Sequence, residues 1–83
     1  MKHYFGNIYY KKSSYEGYIL AQSYIDEAVL INISDGNRWI DPVKVNVMSG
    51  YSGRFIEDND CDVWEKITGG YPNDFTRVIN NRG

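Results

Sequence analysis

Cysteine, histidine and proline are scarce in this 83-residue chain. A single cysteine, Cys61, excludes an internal disulfide and every zinc site built on two or more thiolates. The only histidine is His3, close to a terminus, where fraying leaves little rigidity for acid–base work, so a solvated residue is expected there. No run of apolar residues approaches the ~20 needed to cross a bilayer, and the longest uncharged apolar stretch is Ala28 to Ile33. The opening Met1–Gly6 lacks the apolar core of a secretion signal, so a cytoplasmic location is expected. Net charge is only −2, from nine Lys plus Arg against eleven Asp plus Glu, which argues against a long nucleic acid as partner. No P-loop, dinucleotide fingerprint or nucleophile elbow is present, so an enzyme is not expected, and no metal or cofactor is called for.

What the chain does have is tyrosine. Eight Tyr, two Trp and three Phe make 16% of the residues aromatic, and seven of these aromatics precede residue 25. Neighbouring strand residues point to opposite sides, so Tyr9 and Tyr10 cannot both face a core. Half of such a wall must look outward, either as amphipathic surface or as an interface, where Tyr, Trp and Arg are enriched.

Periodicity and turn signals describe one domain, residues 1–83, with five strands and one helical turn. The strands are expected at Tyr4 to Lys12, Gly17 to Ile25, Ala28 to Ser34, Arg38 to Met48 and Phe75 to Ile79. In the third, Val29, Ile31 and Ile33 alternate with Leu30, Asn32 and Ser34. Asp35-Gly36-Asn37 is a tight-hairpin signal, and Pro42 marks an edge or a bulge in strand four. Met48 to Gly53 reads as a loop. Asp62 with Glu65 three residues later fits a capping box that opens a turn over Val63 to Thr68, and Gly69 stands where a terminating glycine belongs. Short strands with a late helical turn suggest a small five-stranded barrel similar to the SH3-like barrels.

Several residues could carry binding. Asp58-Asn59-Asp60 resembles the start of a calcium loop, but Val63 and Gly69 occupy the positions that need glycine and glutamate. The acidic run that includes Asp58 and Asp60 therefore reads as a solvated helix start or as a patch for a basic partner, alongside the Tyr9–Tyr10 face. The loop holding Tyr51 and Arg54 has the parts of a stacking-plus-cation site for a nucleotide.

Tyr18-Ile19-Leu20-Ala21-Gln22, Val29-Leu30-Ile31, Asp35-Gly36-Asn37-Arg38-Trp39, Asp41-Pro42-Val43 and Ile67-Thr68-Gly69-Gly70 together resemble a pattern of small phage-encoded proteins, mostly of unassigned function. The resemblance implies a non-enzymatic inhibitor of host bacterial defence in the host cytoplasm. Such a protein would sequester a nucleotide signal or cover a host protein surface, as anti-CRISPR-like binders do, commonly as a homo-oligomer. It directs attention to Asn37, Arg38, Trp39 and Asp41 as a ligand-binding group, with Tyr51 and Arg54 beside them. Oligomerisation is expected independently, because so small a chain without disulfides has a limited core.

Overall fold

A computed structural model describes residues 1–34, 41–58, 62–70 and 72–78. The expected Asp35–Asn37 hairpin, together with Arg38, Trp39, Asp60 and Cys61, lies outside these described residues. The described elements are β1 (Lys2–Tyr4), β2 (Ile8–Lys11), β3 (Glu16–Tyr24), β4 (Glu27–Asn32), β5 (Val43–Lys44), β6 (Val47–Gly50), β7 (Gly53–Glu57), helix α1 (Asp62–Thr68), a 3₁₀ turn (Pro72–Asp74) and β8 (Phe75–Val78).

The chain is mainly β, as its alternation implies, but the strands do not close into one barrel. They form two antiparallel sheets, one ordered β1-β7-β6 and the other β5-β4-β3-β2-β8. Two departures from the expected strands produce this division. The first long strand is broken at Gly6, whose φ of 97° only glycine adopts without strain, and the break sends β1 into one sheet and β2 into the other. The fourth is broken after Lys44. Val43 and Lys44 pair with Ala28 and Glu27, Val45 N–H donates to the Asp26 carbonyl, and Val47 then pairs with Ile56 in the smaller sheet. The stretch expected as a loop is a hairpin: Gly50 pairs with Gly53 around a two-residue tip, and Gly53 has φ 117°.

The two sheets and the helix enclose the core. Leu20, Ala28 and Leu30 come from the larger sheet, Ile56 from the smaller, and Trp64 and Ile67 from α1, with Tyr9, Tyr18 and Phe75 completing it. Trp64 and Ile67 were legible as core residues, and Gly69 ends the helix at φ 68° as its position implies. The sense of β4 is the reverse of the simplest reading. Ala28, Leu30 and Asn32 point inward and are fully buried, which turns Val29, Ile31 and Ile33 to the other face, where Val29 is also buried, Ile31 half-buried and Ile33 exposed.

Candidate functional site

The most deeply buried polar cluster among the described residues centres on His3. His3, expected to be solvated, is buried at 7% exposure because β1 is held by β7, with His3 opposite Ile56. Its Nδ1 lies 2.6 Å from the Tyr9 hydroxyl, its ring stacks on Trp64 at 4.7 Å, and its Nε2 stands 3.9 Å from Asp58 Oδ2. The Tyr9 ring meets Trp64 at 4.6 Å, and Asn7 Nδ2 donates to the Tyr9 oxygen at 3.4 Å. The backbone fastens the other end: Asp58 N–H donates to the Met1 carbonyl, and the terminal ammonium donates to the Asp58 carbonyl.

Burial holds the His3 imidazole below its ordinary value. Asp58 opposes that shift, while the terminal ammonium and Arg77 add to it. Burial likewise raises the Tyr9 phenol, with the Asn7 hydrogen bond and Arg77 pulling the other way. Both groups are therefore neutral near pH 7. The consistent proton placement has the Tyr9 hydroxyl donating to His3 Nδ1, with the Nε2 proton directed at Asp58. Carboxylate, imidazole and hydroxyl stand in the order of a hydrolase triad, but the Asp58–His3 separation of 3.9 Å is an electrostatic contact and not the hydrogen bond a triad needs. The hydroxyl at the end of this relay belongs to a side chain only 2% exposed, so the relay ties β1 to the core and offers no surface to a substrate. Asp58 Oδ1 and Trp64 Nε1 have no hydrogen-bond partner among the described residues.

A second polar cluster fixes the β3–β4 ladder. Asn32 Nδ2 and the Tyr18 hydroxyl both donate to Glu16 Oε2, and Ser34 N–H donates to Asn32 Oδ1. An open groove of about 380 Å³ lies beside Thr68, Gly69 and Gly70, with Lys11 and Asp74 on its walls. Its carboxylate is already engaged, since Asp74 accepts from both the backbone and the hydroxyl of Ser13.

The residues marked by sequence for binding separate on this frame. Tyr9 and Asp58 are interior, which corrects their assignment to an outward patch: inward alternation takes Tyr9 into the core, and the pairing of Asp58 with Met1 carries it under β1. Tyr10 faces outward. Asp41 is exposed just ahead of β5. Asn37, Arg38, Trp39 and Asp60 lie outside the described residues. Tyr51 and Arg54 are both on the β6–β7 hairpin, Tyr51 fully exposed at the tip. Arg54 Nη1 donates to Gln22 Oε1 at 3.2 Å, and Gln22 Nε2 donates to the Ile25 carbonyl at 3.0 Å. These two bonds draw the hairpin against the β3–β4 turn, where Tyr24 and Ile25 are 67% and 74% exposed. The sequence places Tyr24 only in the general tyrosine excess and gives Ile25 no role, because both end an apparently continuous strand.

No protein-family model matches this chain, and neither a curated protein nor a solved structure matches it.

Proposed function

We propose that this protein is a non-enzymatic binder that acts by covering the surface of a partner protein with its β3–β4 turn and β6–β7 hairpin. The observation that carries the reading is the Arg54–Gln22–Ile25 chain of hydrogen bonds, which joins two loop tips bearing exposed Tyr24, Ile25 and Tyr51. Exposed tyrosine beside arginine on a braced loop has the composition of an interface anchor. A nucleotide site would need an enclosed stack with a free cation. Here the Tyr51 ring is fully exposed, the Arg54 guanidinium is already bonded to Gln22, and neither residue lines the groove near Gly70. The resemblance to small phage-encoded proteins points to a bacterial partner and to defence inhibition as the biological setting.

The test compares the wild-type chain with the double variant Tyr24→Ala/Tyr51→Ala. Both side chains are exposed, so melting should stay within the range of ordinary surface changes, about 0.5 kcal/mol. Retention of a partner from bacterial lysate should fall by at least tenfold, as expected when an interface anchor is truncated. A rise in melting temperature with cyclic or ADP-ribose-type nucleotides that disappears in Arg54→Ala would replace this reading with nucleotide sequestration. Turnover of such a nucleotide would remove both.

A further inference from the structure

We infer that the groove beside the end of α1 is a binding site for a free α-amino acid, separate from the loop surface proposed for a partner protein and independent of that reading. At about 380 Å³ the groove is at the small end of ligand pockets, roughly 300–1,000 Å³, and suits a molecule of amino-acid size. The register of the larger sheet places it. Lys11, on its border, stands opposite Glu16 at the start of β3, whereas Tyr24 ends the same strand. The groove and the β3–β4 turn are therefore separated by the length of this strand, roughly 25–30 Å.

The charges carry the inference. The charged side chains bordering the groove are Lys11 and Asp74, one of each sign, and they do not pair with each other. Each is held by something else. The Lys11 ammonium stands 5.9 Å from the centroid of the buried Phe75 ring and makes no ion pair among the described residues. Asp74 accepts from the Ser13 amide at 3.0 Å through one oxygen and from the Ser13 hydroxyl at 2.7 Å through the other, and each oxygen keeps a further lone pair. Glu16, across from Lys11, accepts from Asn32 and Tyr18. Opposite charges held apart on one groove match a ligand that carries both. An α-amino acid sets its carboxylate on the Lys11 ammonium and its own ammonium on the Asp74 carboxylate, two charge-assisted contacts.

The rest of the lining supports the same class. Gly69 uses its φ of 68° to end α1, but Gly70 lies outside the left-handed range, and a Cβ there would meet nothing within 4 Å. Neither strain nor crowding asks for glycine at position 70, and its bare backbone lets a ligand come close. Asn73 adds an exposed amide that both donates and accepts. The balance of charge disfavours other ligands. A phosphate would set its negative charge against Asp74 and the carbonyl end of α1. A divalent metal ion would find one lining carboxylate beside a lysine.

Amide chemical shifts of the full chain, titrated with L-phenylalanine, test this. Phenethylamine and hydrocinnamate, which keep one charge each, and inorganic phosphate are titrated alongside. Shifts at Lys11, Gly69, Gly70, Asn73 and Asp74 should saturate with a Kd on the order of 1 mM, as befits an open site with two exposed charge contacts. Removing either charge from the ligand should weaken binding about tenfold, and so should Lys11→Met or Asp74→Asn in the protein. Met keeps an apolar stem on Phe75, and Asn keeps an oxygen for the Ser13 amide. Should either variant lose its near-ultraviolet circular dichroism, the wild-type titrations decide alone. No saturable shift by ~20 mM L-phenylalanine overturns the inference. So do shifts confined to the loop tips, equal binding of hydrocinnamate or phenethylamine, tighter binding of phosphate, or folded variants that bind like wild type. Tyr24→Ala/Tyr51→Ala should bind L-phenylalanine as wild type does, so failure of this site and failure of the loop surface are read separately.

Discussion

Replacing His3 by phenylalanine isolates the role of the buried relay. Phe keeps a flat ring for Trp64 to stack on, now at 4.7 Å, and removes both ring nitrogens. The Tyr9 hydroxyl then loses its 2.6 Å partner, and the buried Asp58 carboxylate loses the imidazole that stands 3.9 Å away. Leaving such groups unsatisfied costs about 1–3 kcal/mol. A domain of this size has roughly 4–12 kcal/mol in all. At ~4–8 °C per kcal/mol, the melting temperature at pH 7.5 should fall by roughly 5–20 °C. The pH dependence carries a second signature. The unfolded imidazole titrates near 6.5 and the folded one lower. Between those values the unfolded chain holds the extra proton, so stability falls as pH drops below about 6.5 and levels off once the folded value is passed. One proton limits that slope to about 1.4 kcal/mol per pH unit. Thermal melts of both proteins from pH 8 to pH 5, followed by near-ultraviolet circular dichroism, should show the slope in the wild type and its loss in His3→Phe. A wild-type curve that is flat, or that climbs on acidification, would mean that His3 is solvated and the relay is not formed.

Other perturbations probe the core and the hairpin. Leu30→Ala empties a fully buried site between the sheets and should cost 2–5 kcal/mol on the order of other core truncations, read by urea unfolding with an unchanged m-value. Gly50→Ala would set a methyl 2.9 Å from the buried Phe55 ring and should cost about 1–3 kcal/mol, whereas the same change at the open, helix-ending Gly69 carries only the backbone penalty of φ 68°, about 1 kcal/mol. Equal losses in these two glycine variants, measured by denaturant midpoint, would show that the Phe55 contact is not tight.

The alternation of β3 and β4 was legible because period two survives in Gly17 to Ile25 and Ala28 to Ser34 whatever the sheet does next. Its sense was not. Val, Ile and Leu occupy both sides of β4, Val29 is buried on one and Leu30 on the other, and the helix that packs against this strand lies thirty residues downstream. The helix and its glycine stop could be read locally, since capping chemistry involves only near neighbours. The division into two sheets rested on single residues, Gly6 and the Val45 contact to Asp26, whose effect depends on distant partners. His3 illustrates the same limit more sharply. A residue three places from an end looks free until β7 is known to pair with it. The loop surface was half legible: Tyr51 and Arg54 stand out as an aromatic and a cation in a polar hairpin, but only the Gln22 bond reveals that Tyr24 and Ile25 belong beside them.

The pairing of β1 with β7 also sets an order of events during synthesis. Met1 and Asp58 are 57 positions apart, and the ribosome makes β1 long before its template exists. At ~5–20 residues per second, the first strand waits roughly 3–11 s with His3 in water and the Tyr9 hydroxyl unclaimed. Closing so long a loop is also entropically slow compared with zipping the β2–β3 and β3–β4 hairpins. The larger sheet can therefore assemble as a nascent platform, with the smaller sheet and its imidazole locking on last. Any growing chain stalled before β7 would hold its first strand out as an unpaired edge, open to capture by a chaperone or by the same strand of a neighbouring nascent chain.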